Sequence, residues 1–170
     1  MLDWNKLGRL LVLIDAANIE KSAQSLKKKV HYGHLKRFFQ EGKILQEMRF
    51  YTAVFDNRGH NDFLMSLKRK GYKLITKPLK VITDKLDGSI RRKANFDVEI
   101  AFDARDMAHI YDTLILFSGD SDFNYLIQRL REMGKKVVVF STRYHVAKEL
   151  IYSCTHYYDI NKFKQELLRQ

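Results

Sequence analysis

Short apolar runs alternate along this chain with segments whose apolar residues recur at helical spacing. The runs predict strands at 9–15, 48–55, 72–76, 113–118, 137–141 and 157–160. The intervening spacing predicts helices, among them a long one at 96–110 and a terminal one at 163–168. Because right-handed crossovers leave few other arrangements, repeated βα units predict a three-layer α/β fold with a mostly parallel central sheet flanked by helices.

One basic segment interrupts this alternation. The stretch from Lys77 to Asn95 contains the only proline of the chain, and it predicts a loop or a short hairpin. A flexible basic rim of this kind suits a single-stranded phosphate backbone. We therefore predict that it binds nucleic acid through its cationic side chains, notably Lys85, Arg91, Arg92 and Lys93.

The overall composition narrows the class of protein. A formal net charge of +11 favours a polyanionic partner such as RNA, although a merely soluble, basic surface is the alternative. A single cysteine, Cys154, excludes an internal disulfide and fits a reducing compartment. The sequence shows neither a signal-peptide pattern nor a run of transmembrane length. We expect a cytoplasmic protein with no membrane partner, folded as one domain over residues 1–170.

Acidic residues follow two of the predicted strands. Asp15 ends the first, and Asp120 and Asp122 come directly after the strand at 113–118. Because ligands of open α/β sheets bind beyond the carboxyl ends of the strands, these side chains predict a site there. Capping of the following helices is the alternative explanation for each acid taken alone.

Asp97 adds a fourth acid to this set. Ile100, Ala101 and Ala104 follow it at i+3, i+4 and i+7, so Asp97 lies on the apolar face of its predicted helix, with Asp103 at the boundary. An interaction with the helix dipole would explain Asp97 alone. Convergence of several acids at one sheet edge would be repulsive, and a divalent cation would relieve it. Oxygen ligands without cysteine or paired histidines favour Mg²⁺ or Mn²⁺.

Other catalytic patterns are missing from the sequence. It contains no Walker-type phosphate loop, no G-x-G-x-x-G, no H-E-x-x-H and no G-x-S-x-G. The six histidines show no convincing ligand spacing. Phosphoryl chemistry at the acidic site is therefore the favoured kind of reaction.

Three segments resemble the NYN domains, which include bacterial LabA-like proteins and belong to the wider group of PIN-like nucleases. The resemblance spans nearly the whole chain in the expected order. Its segments are Ile14-Asp15-Ala16-Ala17-Asn18-Ile19, Lys93-Ala94-Asn95-Phe96-Asp97-Val98 with Asp103 further on, and Ser118-Gly119-Asp120-Ser121-Asp122-Phe123. The pair Asn95-Phe96 departs from the family pattern, which often has glycine and a small aliphatic residue there, and it could narrow the site.

The resemblance implies a PIN-like domain with Mg²⁺- or Mn²⁺-dependent ribonuclease activity. On this analogy the metal ligands and catalytic acids are Asp15, Asp97, Asp120 and Asp122. The resemblance also implies three supporting residues, Ser118, Asn18 and Asp103. Asn18 would orient Asp15 or touch a phosphate. Asp103 would support the helix face or a second metal.

Three functional hypotheses remain open at this point. The first is a ribonuclease, expected to be an endonuclease, that acts on single-stranded or structured RNA. The second is a non-catalytic RNA-binding module, and the third is a metal-dependent phosphatase for small substrates. The segment 157–170 either covers an edge of the sheet or forms the contact of a homodimer.

Overall fold

The computed structural model describes residues 4–83, 90–163 and 168–169, which form an α/β fold. The strands are β1 (Arg9–Asp15), β2 (Lys29–Val30), β3 (Ile44–Val54), β4 (Lys73–Pro78), β5 (Lys80–Thr83), β6 (Ile90–Lys93), β7 (Thr113–Phe117), β8 (Lys136–Ser141), β9 (His156–Asp159) and β10 (Leu168–Arg169). The α-helices are α1 (Ala16–Ser25), α2 (Tyr32–Gln40), α3 (Arg58–Arg69), α4 (Asp97–Asp106), α5 (Asn124–Glu132) and α6 (Lys148–Ser153).

The central sheet has six strands in the order β4-β3-β1-β7-β8-β9, and all of its pairings are parallel. Counted among these six strands alone, the order is 3-2-1-4-5-6, which reverses direction between β1 and β7. The register places Ile14 opposite Phe117, so Asp15 and Ser118 leave the sheet at the same level. Ligands of such sheets bind at this reversal point.

Two apolar layers hold the sheet between its helices. Leu10, Val12 and Ile14 face the layer that includes Ile19 of α1 and Phe39 of α2. Leu11 and Leu13 face the opposite layer, which includes Ile100 of α4 and Ile127 of α5. Complete burial of each such side chain stabilises the fold by about 1.5–3 kcal/mol. Burial on both faces explains why β1 is apolar almost throughout rather than alternating.

The parallel sheet with its flanking helices confirms the predicted fold class, although several boundaries differ. β3 begins at Ile44, four residues before the predicted start, and its first four residues alternate between exposed and half-buried, which weakened the apolar pattern. The helix predicted at 96–110 ends at Asp106 and continues as a 3₁₀ turn over Met107–His109. There the hydroxyl of Tyr111 donates to the carbonyl of Ala104 at 2.7 Å.

The prediction of a terminal helix at 163–168 is wrong at its carboxyl end. A 3₁₀ helix covers Ile160–Phe163, residues 164–167 lie outside the described part, and Leu168 belongs to β10, where it pairs with Val30 of β2. Spacing along one segment could not reveal this distant pairing partner. The basic segment, which was predicted to be a loop or a short hairpin, forms an antiparallel hairpin of β5 and β6. Within the described residues, no helix combines the length and apolar character needed to cross a membrane.

Candidate metal centre

Three carboxylates from two separate segments meet at the carboxyl edge of the sheet. Asp97 begins α4, whereas Asp120 and Asp122 follow β7, and each offers an oxygen within 4.8 Å of the others. Asp97 and Asp120 are half-buried and Asp122 is exposed. A set of hard oxygen donors at this spacing suits a divalent cation such as Mg²⁺ or Mn²⁺.

Asp15 lies beside this group at the end of β1. Its Oδ1 accepts a hydrogen bond from the backbone N–H of Asn18 at 3.3 Å, which caps α1. The predicted capping role is thus real, yet it does not account for all of the local electrostatics. Burial, together with the charges of Asp97 and Asp120, raises the pKa of Asp15 to about 6. The folded chain therefore concentrates negative charge here at neutral pH.

A short set of hydrogen bonds joins the ends of β1 and β7. The hydroxyl of Ser118 donates to Asp15 Oδ2 at 3.4 Å and accepts from the backbone N–H of Asp120 at 3.3 Å. The side-chain oxygen of Asn18 accepts from the backbone N–H of Gly119 at 2.9 Å. Asn18 and Ser118, both predicted to be supporting residues, therefore hold the acidic segments against each other.

The first turn of α4 is fixed by residues around Asp97. The side chain of Asn95 accepts from the backbone N–H of Asp97 at 3.0 Å. Lys77, near the end of β4, donates to Glu99 at 2.7 Å and lies 4.5 Å from the centre of the Phe96 ring. Phe96, part of the departure from the family pattern, is buried in the core on the side of the sheet that carries α4.

Asp103 lies apart from the three clustered acids. It accepts a hydrogen bond from the Tyr51 hydroxyl at 2.7 Å and pairs with the Arg49 guanidinium at 2.6 Å. Burial, and then the bond to Asp103, raises the pKa of Tyr51, which keeps its hydroxyl protonated. These contacts join α4 to β3. Arg49 and Tyr51 were not predicted as parts of the site, and the available signal was a charged residue, Arg49, inside the largely apolar run 48–55.

The predicted nucleic-acid-binding residues belong to the hairpin that precedes α4. Lys85 lies outside the described residues. Arg91, Arg92 and Lys93 are described by their backbone as part of β6, and their side chains lie outside the described part. β6 ends at Lys93, four residues before Asp97. The end of the hairpin is therefore close in the chain to the acidic edge of the sheet.

A parallel sheet of this order with carboxylates at its reversal point defines the class of doubly wound α/β domains whose ligands bind at the carboxyl edge of the sheet. This chain belongs to the NYN domain family, whose match covers residues 9–161. It is 38% identical over 119 residues to the Low amplitude and bright protein LabA of Synechococcus elongatus. That alignment covers 68% of this chain and 62% of the LabA protein, less than two thirds of its length.

A solved structure shows the same fold. It is a protein of unknown function from Vibrio parahaemolyticus, with a TM-score of 0.80 and 23% sequence identity. The superposition covers 99% of this chain and 100% of that protein. Together with the family match, it confirms the α/β architecture expected from the sequence.

Proposed function

We propose that this protein is a metal-dependent ribonuclease that hydrolyses phosphodiester bonds of RNA at the carboxyl edge of its sheet. The observation that carries the proposal is the convergence of Asp97, Asp120 and Asp122 within 4.8 Å of one another. Membership of the NYN family, within the PIN-like nucleases, supports a hydrolytic role for such a cluster.

The donor set fits Mg²⁺ or Mn²⁺. The clustered ligand atoms are all carboxylate oxygens, and burial, followed by the charges of Asp97 and Asp120, raises the pKa of the adjacent Asp15 to about 6. When bound, such a cation stabilises charge on a phosphate and lowers the pKa of a coordinated water. In this proposal Asp15, Asp97, Asp120 and Asp122 hold the cation and orient the attacking water.

The remaining residues of the site act by positioning. Ser118 and Asn18 fix Asp15 relative to Asp120 through the hydrogen bonds between the ends of β1 and β7. Asp103 anchors α4, and with it Asp97, to Arg49 of β3. This arrangement preorganises the acids, so little reorganisation is needed when the reaction begins.

RNA is the proposed substrate because the chain is strongly basic and because a basic hairpin leads into α4. The chain carries a formal net charge of +11 despite its acidic site, and this excess of positive charge favours a polyanion. The hairpin of β5 and β6 carries Arg91, Arg92 and Lys93, and together with Lys85 we propose that these residues hold the RNA backbone, single-stranded or structured, beside Asp97.

The test compares wild type with Asp120→Asn on end-labelled RNA and single-stranded DNA, in Mn²⁺, in Mg²⁺ and in chelator. Asparagine keeps the side-chain oxygen that accepts from the backbone N–H of Asp122 at 3.1 Å, so the variant should fold. We expect metal-dependent RNA cleavage that falls by roughly 10²-fold or more in Asp120→Asn. Asp106→Asn, an exposed change on α4 outside the cluster, serves as an identically purified control.

The strong positive charge also favours a second candidate, an RNA-binding module without catalysis. The same experiment separates the two functions. Equal cleavage by wild type and Asp120→Asn would remove the proposed catalytic role. Binding that weakens with salt and with charge reversal at Arg91, Arg92 and Lys93, but yields no product in either metal, would favour the binding module.

A further inference from the structure

A concave site lies on the helical layer of α1, α2 and α3, away from the acids of the candidate metal centre. It is a cavity of about 750 Å³ between the end of α1, β2, the start of α2 and α3. Asp15 caps the opposite end of α1, whose ten residues span about 15 Å. The residues of the metal centre do not line this cavity. Its volume falls within the range of about 300–1,000 Å³ that is usual for small-ligand sites.

The charge around this cavity is strongly positive. Four lysines line it, against one carboxylate from Glu20, and they are Lys27, Lys28, Lys29 and Lys70. Lys27 and Lys29 are exposed, so their ammonium groups can reorient towards an anion. Clustered ammonium groups on flexible stems are suited to phosphate, which they bind as point charges.

Another part of the lining is apolar and aromatic. Tyr32 and Phe63 are both half-buried, and their ring centres lie 5.5 Å apart. The Tyr32 hydroxyl donates to Glu20 at 3.4 Å, so a carboxylate acceptor lies beside this aromatic wall. A flat ring with amino or hydroxyl groups would match this wall, whereas a bare anion would not use it.

The backbone of Lys27 is unusual for a lysine. Its φ is +53°, the one positive value at a non-glycine position among the described residues. Lys27 and Lys28 donate to the carbonyls of Gln24 and Ala23, which completes a Schellman motif at the end of α1. Glycine is favoured at the position of Lys27 in this motif. A lysine at this position strains the backbone. This strain supports a functional role for the positive charge of Lys27.

We propose that this cavity is a nucleotide-binding site, with phosphate held by the four lysines and the base against Tyr32 and Phe63. The site is independent of the metal centre and does not depend on catalysis. The same chemistry fits a free nucleotide and a nucleotide unit within a bound RNA strand. The experiment therefore includes both sources.

Binding of ADP, inorganic pyrophosphate and a 5′-phosphorylated oligouridine is measured by calorimetry, all in chelator so that cations at the acidic site play no part. The cavity variant combines Lys27→Gly, Lys28→Gln and Lys29→Gln. The matched control combines Lys21→Gln, Lys68→Gln and Lys148→Gln, which removes the same charge from exposed positions outside the cavity. Because glycine suits the backbone of residue 27, Lys27→Gly alone should fold and provides a single-site version of the test.

We expect wild type to bind ADP at least about fivefold more tightly than pyrophosphate, because only ADP can use the aromatic wall. The cavity variant should weaken ADP binding by about tenfold or more, and the control by less than about threefold. If only the oligouridine binds and the cavity variant weakens it, the nucleotide comes from RNA. Equal weakening by the cavity variant and the control, or no binding of either ADP or oligouridine, would overturn the proposal.

Discussion

The side-chain oxygen of Asn18 accepts a hydrogen bond from the backbone N–H of Gly119 at 2.9 Å, across 101 positions of sequence. Asn18 lies in the first turn of α1 and Gly119 follows β7, so this bond spans the two strand ends at the reversal point of the sheet. The backbone N–H of Asn18 also donates to Asp15 at 3.3 Å. One residue thus sets the position of both acidic segments relative to each other.

Replacing Asn18 by alanine should weaken both the fold and metal binding. The N–H of buried Gly119 would lose its acceptor, which costs about 1–3 kcal/mol in the free energy of unfolding. Misplacement of the acids should lower Mn²⁺ affinity by about tenfold or more. Urea unfolding in chelator and Mn²⁺ titration check the two effects. Asn61→Ala, an exposed change in α3, is the control, and unchanged Mn²⁺ affinity in Asn18→Ala would limit Asn18 to a folding role.

Asp15→Asn should stabilise the metal-free protein at neutral and alkaline pH. The pKa of Asp15 is raised from 3.8 to about 6 in the folded chain, so the folded state favours the protonated carboxyl. This contribution to stability is fully present below about pH 4 and is lost as the pH rises through about 6. A shift of this size corresponds to at most about 3 kcal/mol. Asparagine caps a helix about as well as aspartate and carries no charge.

Thermal unfolding of wild type and Asp15→Asn in chelator, at pH 4 and at pH 8, measures this effect. We expect the variant to be more stable by about 1–2 kcal/mol at pH 8 and to match wild type at pH 4. Adding Mn²⁺ at pH 8 should stabilise wild type more than the variant, because a ligand that binds the folded state raises its stability. A pH-independent difference between the two proteins would contradict the electrostatic explanation.

The location of the acids at the carboxyl edge of the sheet could be predicted from the sequence because it depends on local pattern. Asp15 and Asp120 each follow a buried apolar run, and parallel strands bring such ends to one edge whatever the details of packing. Asp97 was found by a similarly local argument, since helical spacing from Ile100 and Ala104 defines its face.

Contacts that depend on the register between distant elements could not be predicted from the sequence. The pairing of Asp103 with Arg49 requires the alignment of α4 over β3, and no pattern within either segment specifies it. The prediction at Leu168 was wrong for the same reason. Its pairing with Val30 has no sign in the helical spacing of the last residues.

Asp103→Asn separates structural support from participation in a second metal site. The change removes the charge that faces Arg49, whose side chain is only 12% exposed, and we expect a loss of about 1–3 kcal/mol in the free energy of unfolding. Because Asp103 is outside the group of three clustered acids, the number of Mn²⁺ ions bound should stay the same. Calorimetric titration tests this, with exposed Asp106→Asn as the control. A reduced number of bound ions would instead place Asp103 at a metal.

Gly119→Ala should be the most damaging small substitution at the site. A Cβ at residue 119 would lie 1.9 Å from the carbonyl oxygen of His145 and 2.7 Å from Ser141 Oγ. The carbonyl belongs to the backbone, and the neighbouring N–H of Ala147 donates to the carbonyl of Gly119 at 2.9 Å, so the two segments cannot separate cheaply. Relief of the overlap must displace Gly119 itself, and with it Asp120.

We expect Gly119→Ala to lose about 3 kcal/mol or more in the free energy of unfolding, at the upper end of overpacking effects. Its Mn²⁺ affinity should fall as well, because Asp120 and Asp122 follow the displaced residue. Gly59→Ala in α3 adds the same methyl group 3.3 Å from a side-chain oxygen of Asn57, which needs to move by only a few tenths of an ångström, and its stability should change by less than about 1 kcal/mol. Urea unfolding of both variants makes the comparison. Equal stability of the two would mean that the 142–147 segment yields to a methyl group, and close packing at Gly119 would then not be what holds the acidic segment in place.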